Sequence, residues 1–437
     1  MSGLALVARK LGAQVSGSDR AESSYLAPLR AVGIEPAIGH SVAALPDGAE
    51  VVVSTAIADD NPELAAARAA GAPVLHRSDL LAEVSGLGRT VAISGTHGKT
   101  TTAAMAAHAL VEAGRDPAYL IGGELRSTGT NAGWGGGEWV IVEADESDRS
   151  FLKLSPAVAV VTNAELDHHA TYRSRSELER AMAEFAGSAP VRIVSEALRL
   201  PLDEDPGSRT LTFGIGAGDL RAEDVELRPL GARFRVEDVR VELAVPGRHN
   251  VLNALAALAA CREAGLALAE AGAALASFAG AGRRFELRGQ TATGADVYDD
   301  YAHHPTEVRA TLEAARSLGA ERVVACFQPH LYSRTRHLTR EFGAALALAD
   351  VVVVLEVYPA RERAEDHPGV SGRLVAAAAA DAARGRHVYW APRMEDAIAL
   401  LHDELRPGDA LLTLGAGDVD RVAEALVDAV VPAGGAA

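Results

Sequence analysis

Residues 89–102 read Arg-Thr-Val-Ala-Ile-Ser-Gly-Thr-His-Gly-Lys-Thr-Thr-Thr: a short apolar strand, a glycine-bearing loop, a lysine and three threonines, with an alanine-rich helical stretch directly after. A strand that turns through glycines into a helix is a cradle for phosphate. Gly95 and Gly98 let backbone N–H groups converge on an anion, Thr96 and His97 fill the loop between them, and the helix opens with its positive end at the same point. Lys99 can reach terminal phosphates, Thr100 can offer a hydroxyl to magnesium, and Thr101 follows in the first turn. The spacing is Gly-x-x-Gly-Lys-Thr, shorter than the common Gly-x-x-x-x-Gly-Lys loop, which would need glycine where this chain has Ile93. A Gly-Lys-Thr helix cap without a ligand is the bland alternative, and the strand in front of it speaks for binding and hydrolysis of ATP or GTP.

At about 150 residues per domain, 437 residues suggest three domains, and 48% apolar residues are ample for their cores. A net charge of -17 argues against a nucleic-acid groove or an anionic membrane surface, while leaving local basic clusters free to bind small anions. Lysine occurs only as Lys10, Lys99 and Lys153, so Lys99 is hard to dismiss as surface decoration. Cys261 and Cys326 stand far apart, which fits reduced thiols in a cytoplasmic protein and offers no disulfide or zinc framework. The N-terminus lacks a basic region followed by an apolar core, and no uninterrupted apolar stretch is long enough to span a membrane; the expectation is a cytoplasmic protein with no membrane insertion.

The chain reads as three α/β segments with bounds 1–88, 89–282 and 283–437. In the first, residues 3–11, 24–32 and 62–70 have helical patterns while 13–16 and 51–54 have strand patterns, as in a small doubly wound unit. In the second, residues 139–143 and 158–162 are apolar β-branched runs expected of buried parallel strands, and 211–213, 232–236 and 239–245 look like appended antiparallel strands. The third has strand patterns near 297–298, 322–327, 351–357, 387–390 and 410–414; residues 376–383 read as helix and 431–437 as a frayed tail.

Ligand chemistry is expected where parallel strands end. Glu143-Ala-Asp145-Glu146-Ser-Asp148 follows one strand directly and supplies oxygen ligands suited to a hard divalent cation, unless it is only a solvated acidic turn. The neighbouring strand ends in Thr162-Asn163-Ala-Glu165-Leu-Asp167-His168, where His168 reads as a metal ligand, a base, or a structural histidine.

Those two clusters, the loop 95–102, Pro246-Gly-Arg-His-Asn250 with Asn253, Arg283-Arg-Phe-Glu286, Asp299-Asp-Tyr-Ala-His-His-Pro305 and Phe327-Gln-Pro-His330 together resemble the Mur ligase superfamily, in order and over essentially the whole chain. The nearest branch is the one that adds L-alanine to UDP-N-acetylmuramic acid in peptidoglycan precursor synthesis. The resemblance implies an α/β fold of three domains: a Rossmann-like UDP-binding domain, a central P-loop ATPase-like domain with a parallel sheet plus a small antiparallel sheet, and a C-terminal Rossmann-like domain. It implies ATP and Mg2+ as cofactors, an acyl-phosphate intermediate, and a monomer or homodimer with no nucleic-acid partner.

By motif position the resemblance assigns Lys99 to the β and γ phosphates, Thr100, Glu146 and His168 to metal, and Asn250 and Asn253 to adenine, with helix capping as the alternative for Asn250. Arg284 would reach the γ phosphate and Asp300 the ribose. Tyr301, His303, His304 and Arg334 would contact the amino acid and muramoyl group, His304 and Arg334 in catalytic roles, against the alternative of a packed Tyr-x-His-His turn, and Asn131 would bind substrate. Ser18, Asp19, His40, Ser54 and Thr55 would line the uridine diphosphate site.

No lysine follows Lys153, so the carbamylated lysine that bridges metals in several superfamily members has no counterpart after His168, as in the alanine-adding branch. Family members reach Met-Ser-Gly-Leu-Ala only after a strand and a Gly-rich loop; this chain opens on those residues, and the expectation is that the first strand and diphosphate loop are missing, through a misplaced start or a truncation. The alternatives in function are a ligase that reattaches a recycled murein tripeptide and a non-catalytic nucleotide-binding regulator.

Overall fold

The computed structural model describes residues 1–168, 171–203 and 205–427. They gather into two compact units, the first made of residues 1–166, 171–222 and 253–275, the second of 167–168, 223–252 and 276–427.

The first unit is built on a sheet whose order is β12–β11–β10–β9–β5–β8–β6–β7. Its strands are β5 (Arg89–Ser94), β6 (Ala118–Leu125), β7 (Thr130–Gly133), β8 (Trp139–Glu143), β9 (Val158–Val161), β10 (Val191–Ser195), β11 (Arg209–Ile215) and the start of β12 (Leu220–Arg228). β5 lies between β8 and β9, parallel to both, with Val91 level with Ile141 on one side and Val158 on the other. These strands are sealed on both faces, which is why they read as unbroken apolar runs. On one face the helix Lys99–Glu112 is buried from Thr100 to Leu110, its alanines and threonines small enough for a close approach to the sheet. On the other, Phe151, Met182 and Phe185 pack with Ala92, Val142 and Val161. Because β5, β8 and β9 are parallel and in register, the loops after Ser94, Glu143 and Val161 leave the sheet along one edge.

Residues 1–88 join this unit as the helices Ser2–Lys10, Pro62–Ala69 and Arg77–Ser85 with two separate parallel pairs. β1 (Ser18–Asp19) pairs with β2 (Ala37–Ile38), and β3 (Val51–Val53) with β4 (Val74–His76). The strand expected at 13–16 does not form; β1 starts two residues later, where Ser18 and Asp19 find partners in Ala37 and Ile38.

The second unit has a six-stranded sheet ordered β15–β16–β20–β17–β18–β19, from β15 (Glu286–Gln290), β16 (Asp296–Asp300), β17 (Val323–Phe327), β18 (Val351–Val354), β19 (His387–Trp390) and β20 (Ala410–Leu414). Only β15 runs antiparallel to its neighbour in this sheet. Helices on both faces close two cores, one around Phe327, Phe342 and Leu412, the other around Val324, Val353 and Leu411. A hairpin of β13 (Gly231–Val236) and β14 (Val239–Leu243) also belongs here, antiparallel as expected.

The antiparallel expectation fails at residues 211–213: Leu211 pairs with Ile193 in a parallel ladder. A short apolar run encodes burial, not direction. Farther along, the Asp219 carboxylate accepts from both the backbone N–H and the hydroxyl of Thr212, in the turn after which β12 pairs parallel to β11. The helix expected at 376–383 is Gly372–Ala382, and the stretch 431–437 lies outside the described residues. Among those residues no helix is long and apolar enough to cross a membrane. Cys261 and Cys326 are free and buried, their thiols pushed up to about 12 by burial.

Candidate active site

Where β5 gives way to the helix Lys99–Glu112, Gly95 and Gly98 take φ values of 133° and 79°, in the left-handed half of backbone space. Space forbids a side chain at either: a Cβ on Gly95 would lie 2.1 Å from the Thr162 hydroxyl, and one on Gly98 2.3 Å from the Asn253 amide oxygen. The loop is tied to the segment after β9. Thr96 Oγ1 donates to the Glu165 carbonyl (2.8 Å), the His97 N–H donates to Asn163 Oδ1 (2.8 Å), and Thr162 Oγ1 donates to the His97 carbonyl (2.7 Å). His97 Nε2 lies 3.0 Å from Glu165 Oε2.

Lys99 curls over this loop. Its Nζ donates to the carbonyls of Gly95 (2.6 Å) and Thr96 (3.2 Å) and pairs with Glu146 at 2.8 Å. Burial opposes its charge, but Glu146, Asp145 and Glu143 outweigh burial and hold the ammonium protonated far above the ordinary lysine range. Glu146 is 1% exposed; burial lifts its carboxyl to about 7, with Asp145 adding to the rise and Lys99 opposing it. Asp145 is held down to about 2, because Lys99, the Ser147 N–H and Arg77 overcome its burial.

The four acidic residues at the end of β8 and just after it thus have separate partners. Glu143 accepts from the Thr100 hydroxyl (2.9 Å), Asp145 pairs with Arg77 (3.0 Å), Glu146 pairs with Lys99, and Asp148 accepts from the Ser150 N–H (2.9 Å). Asn253 meets the phosphate loop from below, its Oδ1 accepting from Thr102 Oγ1 at 3.4 Å, and Thr101 is buried in the first helical turn. Thr100 and Glu146 supply the hydroxyl and carboxylate oxygens that magnesium prefers, and a carboxylate stripped of water gains most from a cation.

In the same unit, Ser18 Oγ donates to Glu63 Oε2 (2.8 Å) and lies 2.8 Å from His40 Nδ1, so Ser18 and His40 meet around Glu63, which sequence reasoning missed. Glu63 is fixed at a helix start capped by Asn61, and the Asn-Pro-Glu sequence there is a readable helix start. Asp19 accepts from the Ala21 N–H and Ser54 from the Ala56 N–H, each closing its own turn, and Thr55 is exposed in the turn after β3. Asn131 on β7 sits against Gly3, where a Cβ would come within 3.3 Å of its amide nitrogen.

The second unit collects the other candidates at the ends of β16, β17 and β20. Arg283 and Phe285 adopt left-handed φ values of 56° and 49°. Arg283 is clamped by Asp299 (2.8 Å) and by the carbonyls of Gly415 and Gly417 (3.0 Å each). The Tyr301 ring is contacted by both guanidinium groups, Arg283 at 5.2 Å and Arg284 at 5.3 Å from its centroid. Asp300 accepts from the Phe285 and Ala302 N–H groups, and burial, opposed by Arg284, raises its carboxyl to about 6.

His304 is the N-cap of the helix Pro305–Arg316: its Nδ1 accepts from the Thr306 N–H, while Glu307 reaches back to the backbone N–H groups of His303 and His304. His303 lies 2.8 Å from the Tyr301 carbonyl, and enclosure brings its pKa down to about 4 against the pull of Glu307. Arg334 makes a two-pronged bond to Asp167, Nε to Oδ1 (3.0 Å) and NH2 to Oδ2 (2.9 Å), with both side chains almost fully buried. Although burial works the other way, Arg334 holds the Asp167 carboxyl well below the usual range.

His168 follows Asp167 with a φ of 52°, its backbone N–H bonded to Asp167 Oδ1 (2.8 Å). Asn250 is buried, its amide donating to the Pro246 carbonyl at 2.7 Å. Asp167 and His330, two side chains that fix Arg334, stood in quoted motifs without a role; Asp167 is 167 positions away and leaves no local signal, whereas His330 is only four residues before Arg334, a spacing that could have been read.

Comparison with known proteins gives this arrangement its lineage. Residues 1–88 match the model of the Mur ligase family catalytic domain, 93–261 that of the Mur ligase middle domain, and 283–417 that of the Mur ligase glutamate ligase domain. The UDP-N-acetylmuramate–L-alanine ligase of Rubrobacter xylanophilus is 44% identical over 442 residues, covering 98% of this chain and 97% of that one. The enzyme of the same name from Streptomyces coelicolor is 44% identical over 447 residues, covering 98% and 95%. Among solved structures, the UDP-N-acetylmuramate–alanine ligase of Thermotoga maritima superposes with a TM-score of 0.83 at 30% identity, covering 97% of this chain and 95% of that one. A murein peptide ligase from Psychrobacter arcticus superposes at 0.72 with 24% identity, covering 99% and 97%, and shares the fold. With three family models matched in order along its length, the chain belongs to the Mur ligase family and has its three-domain α/β fold.

Proposed function

We propose that this chain is an ATP-dependent ligase that joins L-alanine to UDP-N-acetylmuramic acid in the cytoplasm, as a monomer or homodimer, through an acyl phosphate. The geometry supports a nucleotide site, and the observation that carries the choice of substrates is the 44% identity to alanine-adding ligases across 98% of the chain. The three family-model spans support a division into domains at 1–88, 89–282 and 283–437.

A carboxylate is a poor acylating agent, and phosphorylation gives it a leaving group; the protein's part is positioning and charge. The backbone of residues 95–98 takes the phosphates, and Lys99 exchanges its carbonyl partners for β and γ oxygens. Thr100, Glu146 and His168 would hold magnesium, which would supply charge neutralisation at those phosphates. Asn250 and Asn253 address adenine, Asp300 the ribose and Arg284 the γ phosphate. Tyr301, His303, His304 and Arg334 receive the amino acid and the muramoyl carboxylate, and Arg334 suits a carboxylate because its two-pronged geometry is already realised on Asp167. Ser18, Asp19, His40, Ser54, Thr55 and Asn131 serve the sugar nucleotide.

The test is phosphate release from ATP with UDP-N-acetylmuramic acid and L-alanine each omitted in turn, together with mass detection of UDP-N-acetylmuramoyl-L-alanine. Release that needs both substrates is expected. Release only with a murein tripeptide in place of alanine would move the chain to the recycling reaction. ATP binding with no release under any condition would leave a nucleotide-binding regulator.

A further inference from the structure

The helix Tyr332–Leu346 begins without a capping side chain from its own N-cap residue. That residue, Leu331, is apolar and stands in the left-handed half of backbone space at φ 69°, so it has no side-chain oxygen to offer the first N–H groups. We propose that Glu362, supplied from the segment after β18, is a positioning residue for Arg334: it caps this helix from a distance and so fixes the backbone from which Arg334 reaches a substrate carboxylate. The proposal rests on the reading of Arg334 as the receiver of that carboxylate.

Glu362 accepts from Ser333 twice, Oε2 from the backbone N–H at 2.9 Å and Oε1 from the hydroxyl. Ser333 is the second residue of the helix, where an N–H has no carbonyl of the helix to bond. The carboxylate therefore satisfies a stranded donor and places negative charge at the helix's positive end. Arg334 comes next in the chain. Asp167 and His330 orient its guanidinium at the far end of the side chain, while Glu362 acts at the near end, where the side chain leaves the helix.

The segment 356–372 is laced to residues 329–334 along its length. Glu356 Oε1 accepts from the N–H groups of Val357 and Gly372 (2.8 Å each) and draws the ends of the segment together. Tyr358 makes backbone bonds to Pro329 (2.8 Å) and Leu331 (2.9 Å), and its ring stacks on His330 with centroids 5.7 Å apart. A tight turn follows, in which the Glu362 N–H donates to the Pro359 carbonyl (2.8 Å) and Ala360 takes a φ of 49°; it delivers the carboxylate to Ser333. His367 completes the lacing, its ring stacked on Tyr332 at 5.8 Å and its Nε2 3.7 Å from Glu362 Oε2. One segment thus holds the first two residues of the helix and the histidine that touches Arg334.

The experiment determines kcat and the separate KM values for ATP, UDP-N-acetylmuramic acid and L-alanine in the full chain, below the thermal midpoint of every variant. Arg334→Lys keeps the charge but not the two-pronged geometry, and by raising one KM at least about 10-fold it identifies the substrate whose carboxylate Arg334 receives. Glu362→Ala should raise the KM of that same substrate about 10- to 100-fold, as a displacement of about 1 Å can, and leave the KM for ATP within about threefold of the parent. Glu362→Gln can still accept from the Ser333 N–H and meet its hydroxyl, and should return close to the parental values. Ser333→Ala should shift the same KM by less, and combined with Glu362→Ala it should add nothing further.

In Glu362→Ala, all three KM values moving together with a fall in kcat would overturn the proposal in favour of plain support of the fold, and parental kinetics would overturn it outright. A Glu362→Gln variant as defective as Glu362→Ala would overturn it in favour of a need for the negative charge itself. If Arg334→Lys leaves every KM unchanged, or the parent chain forms no amide, the reading of Arg334 fails and takes the proposal with it. If Arg334→Lys raises one KM and Glu362→Ala does not, the reading stands and the proposal alone falls.

Discussion

Lys99 holds its charge where burial alone would remove it, because three carboxylates surround it and two loop carbonyls accept from it. On the proposed reading this cation stands where terminal phosphates would arrive, so binding would replace carbonyl partners with phosphate oxygens and need no change of protonation. Lys99→Ala is expected to lower ATP affinity and phosphate release at least 100-fold, the scale seen when one charge-stabilising donor is lost. Fluorescent-nucleotide titration and phosphate assay would measure the two effects, and near-parental affinity would refute the assignment. Arg334 and Asp167 pose a different residue-scale problem. Removing either partner leaves the other charge buried, so Arg334→Ala and Asp167→Ala should each cost about 3–5 kcal/mol by denaturant unfolding, with the double variant losing much less than the sum. Additive losses would mean that the pair does not act as a unit. Of the two partners, Arg334 was named from the family resemblance, whereas Asp167 stood in a quoted cluster without a task, since no local pattern announces a bond across 167 positions. Glu63 escaped for the same reason: it acts through Ser18, a partner supplied by another element.

At the scale of elements, the phosphate loop is set by sterics before any ligand arrives. Gly98 combines a φ of 79° with a Cβ direction that runs into Asn253, so both backbone strain and a collision oppose any substitution. Gly98→Ala is expected to weaken ATP binding more than 10-fold and to destabilise the chain by about 1–3 kcal/mol, since the left-handed conformation and the overpacking both cost energy. Parental affinity in that variant would show that the loop can re-form with a side chain present. The loop and the strands around it were legible because fully buried parallel strands give continuous β-branched runs and the glycine spacing has few other uses. Elements outside that regime were not. β1, β2 and β4 are two or three residues long, too short for periodicity to register, and the strand expected at 13–16 was an alternating Ala-Gln-Val-Ser stretch with no ladder partner. β11 was recognised as a strand but given the wrong direction, since a short apolar run encodes burial and not the neighbour it pairs with, here β10 in a parallel ladder.

At the scale of the whole molecule, the groups that respond to acid are unevenly distributed. His249, His303 and His330 all belong to the second unit, and enclosure brings their pKa values down from 6.5 to about 4, 4 and 3. The charges facing them are Glu307 and Arg284 at His249, Glu307, Arg334 and Asp167 at His303, and His303, Arg334, Arg361 and Asp167 at His330. A histidine whose folded pKa is depressed binds its proton more readily in the unfolded chain. Its neutral form therefore supports the fold fully above pH 6.5, and that support is lost as pH falls through the interval from 6.5 toward the folded values near 4 and 3. Asp300, raised from 3.8 to about 6, works in the opposite sense, since its proton stabilises the fold and is released as pH rises between those values. Three histidines outweigh one carboxyl of smaller shift, so the net expectation is loss of stability in the second unit on acidification. Because the histidines are only partly enclosed, each should contribute about 1–2 kcal/mol, less than the full shift would give. Limited proteolysis at pH 7.5 and pH 5, with fragments mapped by mass, should find new cuts within residues 276–427 at the lower pH before cuts appear in 89–166. His249→Gln, which keeps a neutral polar side chain at that site, should flatten the fall of the thermal midpoint between those two pH values by a few degrees. An unchanged slope in that variant, or first cuts in the phosphate-loop unit, would place the acid-sensitive groups elsewhere.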